Sequence, residues 1–469
     1  MRPFETCLSP ELTLLKGRRV MLSHCRRLGT RFLLFVLLCL CLLLPIGCDS
    51  PPALTGEKAA PHHQQGGQLT IMVAWTQEGA AKKLAQLFYE ETGTVVRIIK
   101  VEYHDLLADT LKDNKSPHPQ TDVYQLWYAH LGRLAEEGAI IQLEDFYGKY
   151  KQAIVVADLI PHFFDSYTLY RNKRWAVPFD GDIHVLFYRK SLLAKHSLTP
   201  PRTWQEYLKI SRYITEHERE NRIYGAALIA HPTPILIIAS FLNRLGGFGG
   251  KLTSDNQEPQ IDTPEAVAAL EAMVTHARYA LPTPLETDFA VARDAFLQGK
   301  VAMVEQWTDI GIMADDPRQS IICGDWGVVP IPMADKKSTA GVAPLNAGWS
   351  LAISSASSKR ELAEQFLAFS IRRDITLQLN LIPGGGGLDP IRKSTIASPE
   401  FQAFAPQVSR VEAQLLDGSF VSFPNHPSTP DLLGDLTDAI VAALEGRLSP
   451  SEALKACQEK WDSHLKRWQ

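Results

Sequence analysis

The stretch "QLTIMVAWTQEGAAKKLAQLFYEETGTVVRIIKVEY", Gln68 to Tyr103, decides the fold class. "QLTIMVAW" is a short, continuous apolar run and reads as a buried strand. "GAAKKLAQLFYEETG" then brings Ala81, Leu84, Leu87 and Phe88 onto one face at helical spacing, with Gly93 as its stop. "VVRIIKVEY" is a second strand. Strand, helix and strand in succession make a βαβ unit, whose crossover helix returns the chain to the same edge so that the strands run parallel.

The alternation continues outward. Residues 104–113 read as a helix, "TDVYQLWY" as a third strand, and Leu131 to Glu137 as a helix ended by Gly138. From about Trp175 the pattern shifts to a turn-rich loop and the strand "HVLFYR". "PPRTWQEYLKIS" opens a helix with Thr203 as cap and Glu206 three residues on. "YGAALIA" is an apolar strand. A long helical stretch includes "DTPEAVAALEAMVTHARYA", with Thr263 as cap and Pro264 in its first turn. "DFAVARDAFLQG" is a helix stopped at Gly299, and Val301 to Val304 form a strand that runs on into Glu305, Gln306 and Trp307. "WGVVPIP" and "GWSLAISS" are strands, "KRELAEQFLAFSI" is an amphipathic helix, and the chain ends in helices. No repeat of solenoid period occurs.

The chain has 469 residues, of which 45% are apolar and 21% charged, which implies a globular body of two domains. Its beginning reads differently. Arg26, Arg27 and Arg31 precede the unbroken apolar run Phe32–Leu44, a signal-type segment too short to span a membrane easily. "LLLPIGCDS" follows, and Gly47–Cys48 resembles a bacterial lipobox, in which the chain is cut before the cysteine and the cysteine is lipidated. Residues 1–47 are thus expected to be a signal peptide, with 1–20 as a possible mis-assigned start before Met21. Residues 48–67, rich in Pro, Gly and polar residues, are expected to be a tether. Removing residues 1–47 moves the net charge from −4 to −9, unfavourable for a nucleic-acid binder. Only Cys323 and Cys457 lie beyond Cys48, and no CxxC or HExxH metal signature is present, so no metal and no cofactor is expected.

The glycine stretches "LGGFGG" (Leu245–Gly250) and "GGGGLDP" lack the spacing of a phosphate-binding loop and read as turns. Nucleophile elbows are absent. Asp180, Asp182 and Glu305 could form a glycosidase pair, which keeps a secreted glycoside hydrolase as the rival from another class. The tryptophans are more telling. Trp75, Trp127 and Trp307 each end a strand, and Trp349 begins one. The carboxyl edge of a parallel sheet is where ligands bind. Trp175, Trp204, Trp326, Trp461 and Trp468 are assigned to packing.

Taken in order, "LAQLFYEETGTVVRI", "TDVYQLWYAHLGRLAEEGAI", "WAVPFDGDIHVLFYRKSLLAKHSLTPPRTWQEYLK", "FLQGKVAMVEQW", "GWSLAISSASSKRELAEQFLAFS", "DPIRKS" and "ALEGRLSPSEALKACQEKWDSHL" resemble the extracellular solute-binding proteins of family 1, the receptor components of ABC importers for sugars. The resemblance implies an α/β fold of the class II-like periplasmic-binding-protein type, with the ligand cleft between two lobes joined by crossing hinge strands. One lobe would comprise about 68–178 plus 329–375, the other 179–328 plus 376–469, crossing at "VPFDG" and "VVPIP". It implies ligand contacts at Trp75, Thr76, Glu78, Trp127, Asp180, Asp182, Trp307, Gly348, Trp349 and Arg392. Strand alternation adds Glu305 on the side of Trp307. The implied partners are a carbohydrate, the permease subunits of an ABC transporter, and the membrane through a lipid on Cys48; a monomer with no enzymatic activity is expected. Several disaccharide-binding members carry Asp where Trp127 stands, which leaves the sugar open. A sensor lipoprotein feeding a signalling partner is the other alternative.

Overall fold

The structure is a computed structural model that describes residues 67–467 except 255, 257, 336–347, 417 and 419. The expected signal peptide, Cys48, most of the tether and Trp468 lie outside the described residues. Nine strands carry the architecture: β1 Gln68–Ala74, β2 Val95–Val101, β3 Val123–Trp127, β4 Val177–Asp180, β5 His184–Arg189, β6 Tyr224–Ala227, β7 Val301–Trp307, β8 Trp326–Val329 and β9 Trp349–Ile353. They form two mixed sheets.

The first sheet has the order β2-β1-β3-β9-β4, with β1 parallel to β2 and β3, and β9 antiparallel to β3 and β4. The βαβ reading of Gln68–Tyr103 therefore holds: the crossover is α1 (Glu78–Thr92), which buries Ala80, Ala81, Leu84 and Phe88 and ends on Gly93 at φ 71°, a left-handed position that glycine takes without strain. Phe88 meets Phe366 and Phe369 edge-on, each at 5.2 Å between centroids, so a helix late in the sequence closes the core of this sheet. The second sheet has the order β8-β5-β7-β6. Here β5 is antiparallel to both β7 and β8, and only β6 and β7 are parallel.

Thr203 and Thr263 cap their helices as expected, accepting from the backbone N–H groups of Glu206 and Ala266. The region between "YGAALIA" and "DTPEAV" departs from expectation. "PILIIASFLNRLGG" is a separate helix, α2 (Pro234–Gly247), buried along its length from Ile235 onward. Leu245–Gly247 of "LGGFGG" is its last turn rather than a loop. Its polar residues Ser240, Asn243 and Arg244 share one face at helical spacing, but that stripe is narrow and faces the protein interior rather than water. The helix packs against α3 (Pro264–Ala277) and against the helix Thr429–Leu444. Cys457 is buried, Cys323 is exposed, and both are free thiols.

Candidate functional site

Strand direction places the aromatic residues. Because β1 and β3 run parallel, their carboxyl ends share an edge, where Trp127 closes β3 and Trp75 follows β1. Because β9 is antiparallel, its first residue arrives at that same edge: Trp349 stands in register with Trp127 on one side and Asp180 on the other. On the second sheet Trp307, the last residue of β7, is opposite His184, the first of β5. The chain leaves the first sheet at Asp180 and enters the second at His184, so Asp182 lies in the crossing between them.

These edges wall a cleft of about 450 Å³. Six of the expected residues line it: Trp75, Thr76, Asp180, Asp182, Trp307 and Trp349. Trp75 is 41% exposed, whereas Trp307 and Trp349 are 8% and 5% exposed, so one indole plate stands free at the mouth and two are set into the walls. Trp307 is held edge-on against His184 at 4.2 Å and against Phe289 at 5.8 Å between centroids.

The other five do not line the cleft, and each has a physical reason. Glu78 opens α1 and turns outward to Lys82 at 2.8 Å and Lys100 at 3.1 Å. Trp127 is packed edge-on between His130 and Phe423, at 5.3 and 4.9 Å. Glu305 is two residues below Trp307 on the strand, roughly 7 Å deeper at the usual rise, and there it meets Arg244 of α2. Its Oε1 accepts from Arg244 Nη2 at 2.8 Å, and its Oε2 from Arg244 Nη1 at 3.0 Å and Asn243 Nδ2 at 3.1 Å. Arg392 has no exposure; it donates to Asp158 at 3.1 Å, to the Ile154 carbonyl at 2.7 Å and to the Ile371 carbonyl, bracing three chain segments. Gly348 serves by its missing side chain: a Cβ there would sit 2.1 Å from the Asp180 carbonyl oxygen and 2.3 Å from the Tyr167 hydroxyl. Its N–H donates to that hydroxyl at 2.9 Å, which sets the start of β9 and hence Trp349.

The structure also brings residues to the cleft that the sequence reading missed, chiefly Gln77, Asp309 and Asp389, together with Gly385 and Gly387 of the "GGGG" loop. Gln77 Nε2 donates to Asp180 Oδ2 at 2.7 Å, while Asp180 Oδ1 accepts from the Asp389 N–H at 2.6 Å. Asp180 is thereby a brace that ties the end of β4 to the late loop. Asp309 is two residues past Trp307 and Asp389 three before Arg392, both beside motifs already singled out. Burial pushes the Asp309 carboxyl up to about 7, helped by the nearby charge of Asp389. Burial pushes Asp389 up to about 6. Asp180 and Asp182 are also raised well above the usual carboxylate range, by burial first and then by each other's neighbouring charges, Asp389 on Asp180 and Asp180 on Asp182. Among the described residues no group of His, Cys, Asp and Glu could hold a metal ion.

Two α/β lobes with indoles and carboxylates converging from both on one cleft define a protein that takes up a small solute between its lobes. The chain belongs to the bacterial extracellular solute-binding proteins: residues 66–374 match that family. A "probable amino-acid ABC transporter periplasmic-binding protein" of Sinorhizobium fredii is 22% identical over 388 residues, 81% of this chain and 85% of the relative. A mannitol-binding protein of Pseudomonas aeruginosa is 23% identical over 332 residues, 66% of this chain and 73% of the relative. Among solved structures, maltose-bound MalE3 of T. maritima superposes with a TM-score of 0.74 at 23% identity, covering 85% of this chain and 99% of that one. An Agrobacterium vitis ABC transporter solute-binding protein with bound D-mannitol superposes at 0.73 and 22% identity, covering 86% and 99%. The two-lobed fold expected from the sequence is the fold of these proteins.

Proposed function

We propose that this protein captures a carbohydrate or polyol outside the cytoplasmic membrane and hands it to the permease of an ABC importer, without altering it chemically. One observation carries the reading: three indoles, Trp75, Trp307 and Trp349, and the carboxylates Asp180, Asp182, Asp309 and Asp389 share a single cleft between the lobes. Indole faces cover the C–H face of a sugar ring, each aromatic contact contributing about 0.5–1.5 kcal/mol beyond area burial. Carboxylates accept from its hydroxyls in charge-assisted bonds. One relative named for mannitol, and neighbours bound to maltose and mannitol, support the same substrate class. The lobes are taken as 68–178 plus 329–375 and 179–328 plus 376–469, although the first sheet runs on as far as Asp180 and Leu379, Leu388 and Ile391 pack in its core. Closure is a hinge motion about the crossings. The monomeric, acidic body is tethered by a lipid on Cys48.

The test is a screen of glycans and polyols by thermal shift and intrinsic fluorescence, since a ligand held only by the native state raises its apparent stability. A hit whose affinity falls at least tenfold in both Trp307→Ala and Trp349→Ala, with the fold retained, supports the reading. Loss of the fold in both variants would assign these indoles to core packing. Released product in the same incubations would instead make the protein a glycoside hydrolase. Membrane release on Cys48→Ala tests the anchor.

A further inference from the structure

The cleft gathers acidic side chains with almost no cation among them, and burial without a counter-charge holds four of them, Asp180, Asp182, Asp309 and Asp389, above the usual carboxylate range. Among the described residues, six carboxylates line it, those of Glu102, Asp180, Asp182, Asp288, Asp309 and Asp389, against one guanidinium, Arg293. That guanidinium is already engaged, with Nε on Asp294 at 2.8 Å and its plane over the Phe289 ring at 5.4 Å. The two histidines on the wall are engaged as well: His231 Nδ1 is 2.9 Å from the Thr233 hydroxyl, and His104 faces Asp105 at 3.4 Å. Nor are all the carboxylates structural. Asp180 is a brace, and Asp288 caps its helix by accepting from the Val291 N–H at 2.8 Å. Asp309 Oδ1 and Asp389 Oδ2 have no hydrogen-bond partner, and Asp389 is only 6% exposed. The Trp307 indole N–H on the same wall is likewise unpartnered, at 8% exposure.

Buried acceptors left without donors are costly, so their persistence in a cleft marks what the cleft is built to receive. Three kinds of partner can engage carboxylates. A divalent ion is disfavoured by the arrangement, since among the described residues no three His, Cys, Asp or Glu side chains are placed to hold one together. A neutral polyol offers hydroxyls but no counter-charge to favour the ionised form of the buried carboxyls. An ammonium group offers several donors and the missing positive charge at once, and its cation is attracted to indole faces. The unpartnered indole N–H, by contrast, asks for an acceptor, which a hydroxyl oxygen provides.

We infer that the ligand is an aminated polyol, an amino sugar or a related polyhydroxylated amine, whose ammonium group sits between Asp309 and Asp389 while its ring lies along Trp307 and Trp349. This rests on the carbohydrate reading of the cleft and narrows it.

Isothermal titration at neutral pH tests it with matched pairs: chitosan oligomers of one to four units against cello-oligomers of the same lengths, and 1-amino-1-deoxysorbitol against sorbitol. The expected result is an aminated member at least tenfold tighter than its neutral counterpart. That preference should collapse in the isosteric double variant Asp309→Asn/Asp389→Asn. Chitin oligomers, which keep the ring but acetylate the amine, must lose the preference on the unaltered protein, so the inference is testable even where the variant does not fold. Neutral members binding as tightly as aminated ones would overturn the inference and leave the carbohydrate reading standing. Binding by neither member of any pair would overturn both.

Discussion

Glu305 is the residue whose role the structure changes most, and its replacement separates folding from binding. The carboxylate is 2% exposed and the guanidinium of Arg244 is not exposed at all. Their bidentate contact, at 2.8 and 3.0 Å, is backed by Asn243 Nδ2 at 3.1 Å. Arg244 spends its remaining donors on the Ser240 carbonyl at 2.6 Å and on His276 Nδ1 at 3.2 Å, and its plane lies 4.5 Å from the Trp204 ring. His276 can accept because burial, with the charge of Arg244, keeps it neutral. Glu305→Ala leaves this cation buried without its counter-charge. Breaking one side of a buried pair costs about 3–5 kcal/mol, a large part of the 5–15 kcal/mol or so that holds a typical domain folded. Urea unfolding followed by fluorescence should show a stability loss of that size, read as the midpoint shift times the denaturant slope. Arg244→Met/Glu305→Leu, which removes both charges and keeps the volume, should be more stable than Glu305→Ala alone. The milder Glu305→Gln, studied while folded, should bind ligand within about twofold of the unaltered protein, roughly 0.4 kcal/mol. A Glu305→Ala protein with an unchanged unfolding midpoint but no ligand binding would refute the reasoning and return Glu305 to the cleft.

Two further outcomes follow from the same geometry. The Asp309 carboxyl is raised in the fold, so its ionisation is easier in the unfolded chain. Below about pH 4 both states hold the proton and Asp309→Asn should match the parent; from there to about pH 7 the parent loses stability relative to the variant, by at most about 1.4 kcal/mol per pH unit, and the gap levels off above. Measuring the difference between the two proteins cancels the opposite titration of buried His130 and His184, both depressed to about 3 by desolvation; a gap that narrows between pH 5 and 7 would contradict the burial argument. Gly348→Ala should cost about 1–3 kcal/mol in urea unfolding, because a Cβ 2.1 Å from the Asp180 carbonyl must push β9 away from β4; an unshifted midpoint would show that the two strands yield freely.

What could be read from the chain and what could not divide along a physical line. The strand and helix of Gln68–Thr92 are local: one buried run, one apolar stripe and a glycine stop suffice, and the elements formed where expected. Which sheet edge bears the tryptophans is nearly as local, because an indole at the end of a short apolar run is carried to the rim by the strand itself. Trp75 and Trp307 reach the cleft for that reason, whereas Trp349, the first residue of its strand, is there because β9 runs antiparallel to β3. Trp127 ends its strand in the same way and yet is covered, because Phe423, from nearly three hundred residues later, packs on it. No pattern around Trp127 encodes that arrival. Arg392 is similar: one basic residue after a proline looks like a ligand contact until Asp158 and two distant carbonyls converge on it.

Glu305 marks the point at which a local rule needs a second, non-local one. Alternation along β7 concerns which side a residue takes, not how far below the rim it lies or what waits there. What waits is α2, a helix buried on every side whose polar stripe of Ser240, Asn243 and Arg244 faces the interior rather than water. The signal was nonetheless present in "PILIIASFLNRLGG": Asn243 and Arg244 stand side by side in an otherwise apolar run, and a helix buried on all sides cannot turn a guanidinium to water. Such a residue requires a buried acid, and "VAMVEQW" offers one in an otherwise apolar strand. Two misfit charges in two apolar elements are each other's best explanation before either is a ligand's. By the same rule, Asp309 and Asp389, cleft carboxyls that each keep an unpartnered oxygen and make no ion pair among the described residues, are left to seek a partner from outside the chain.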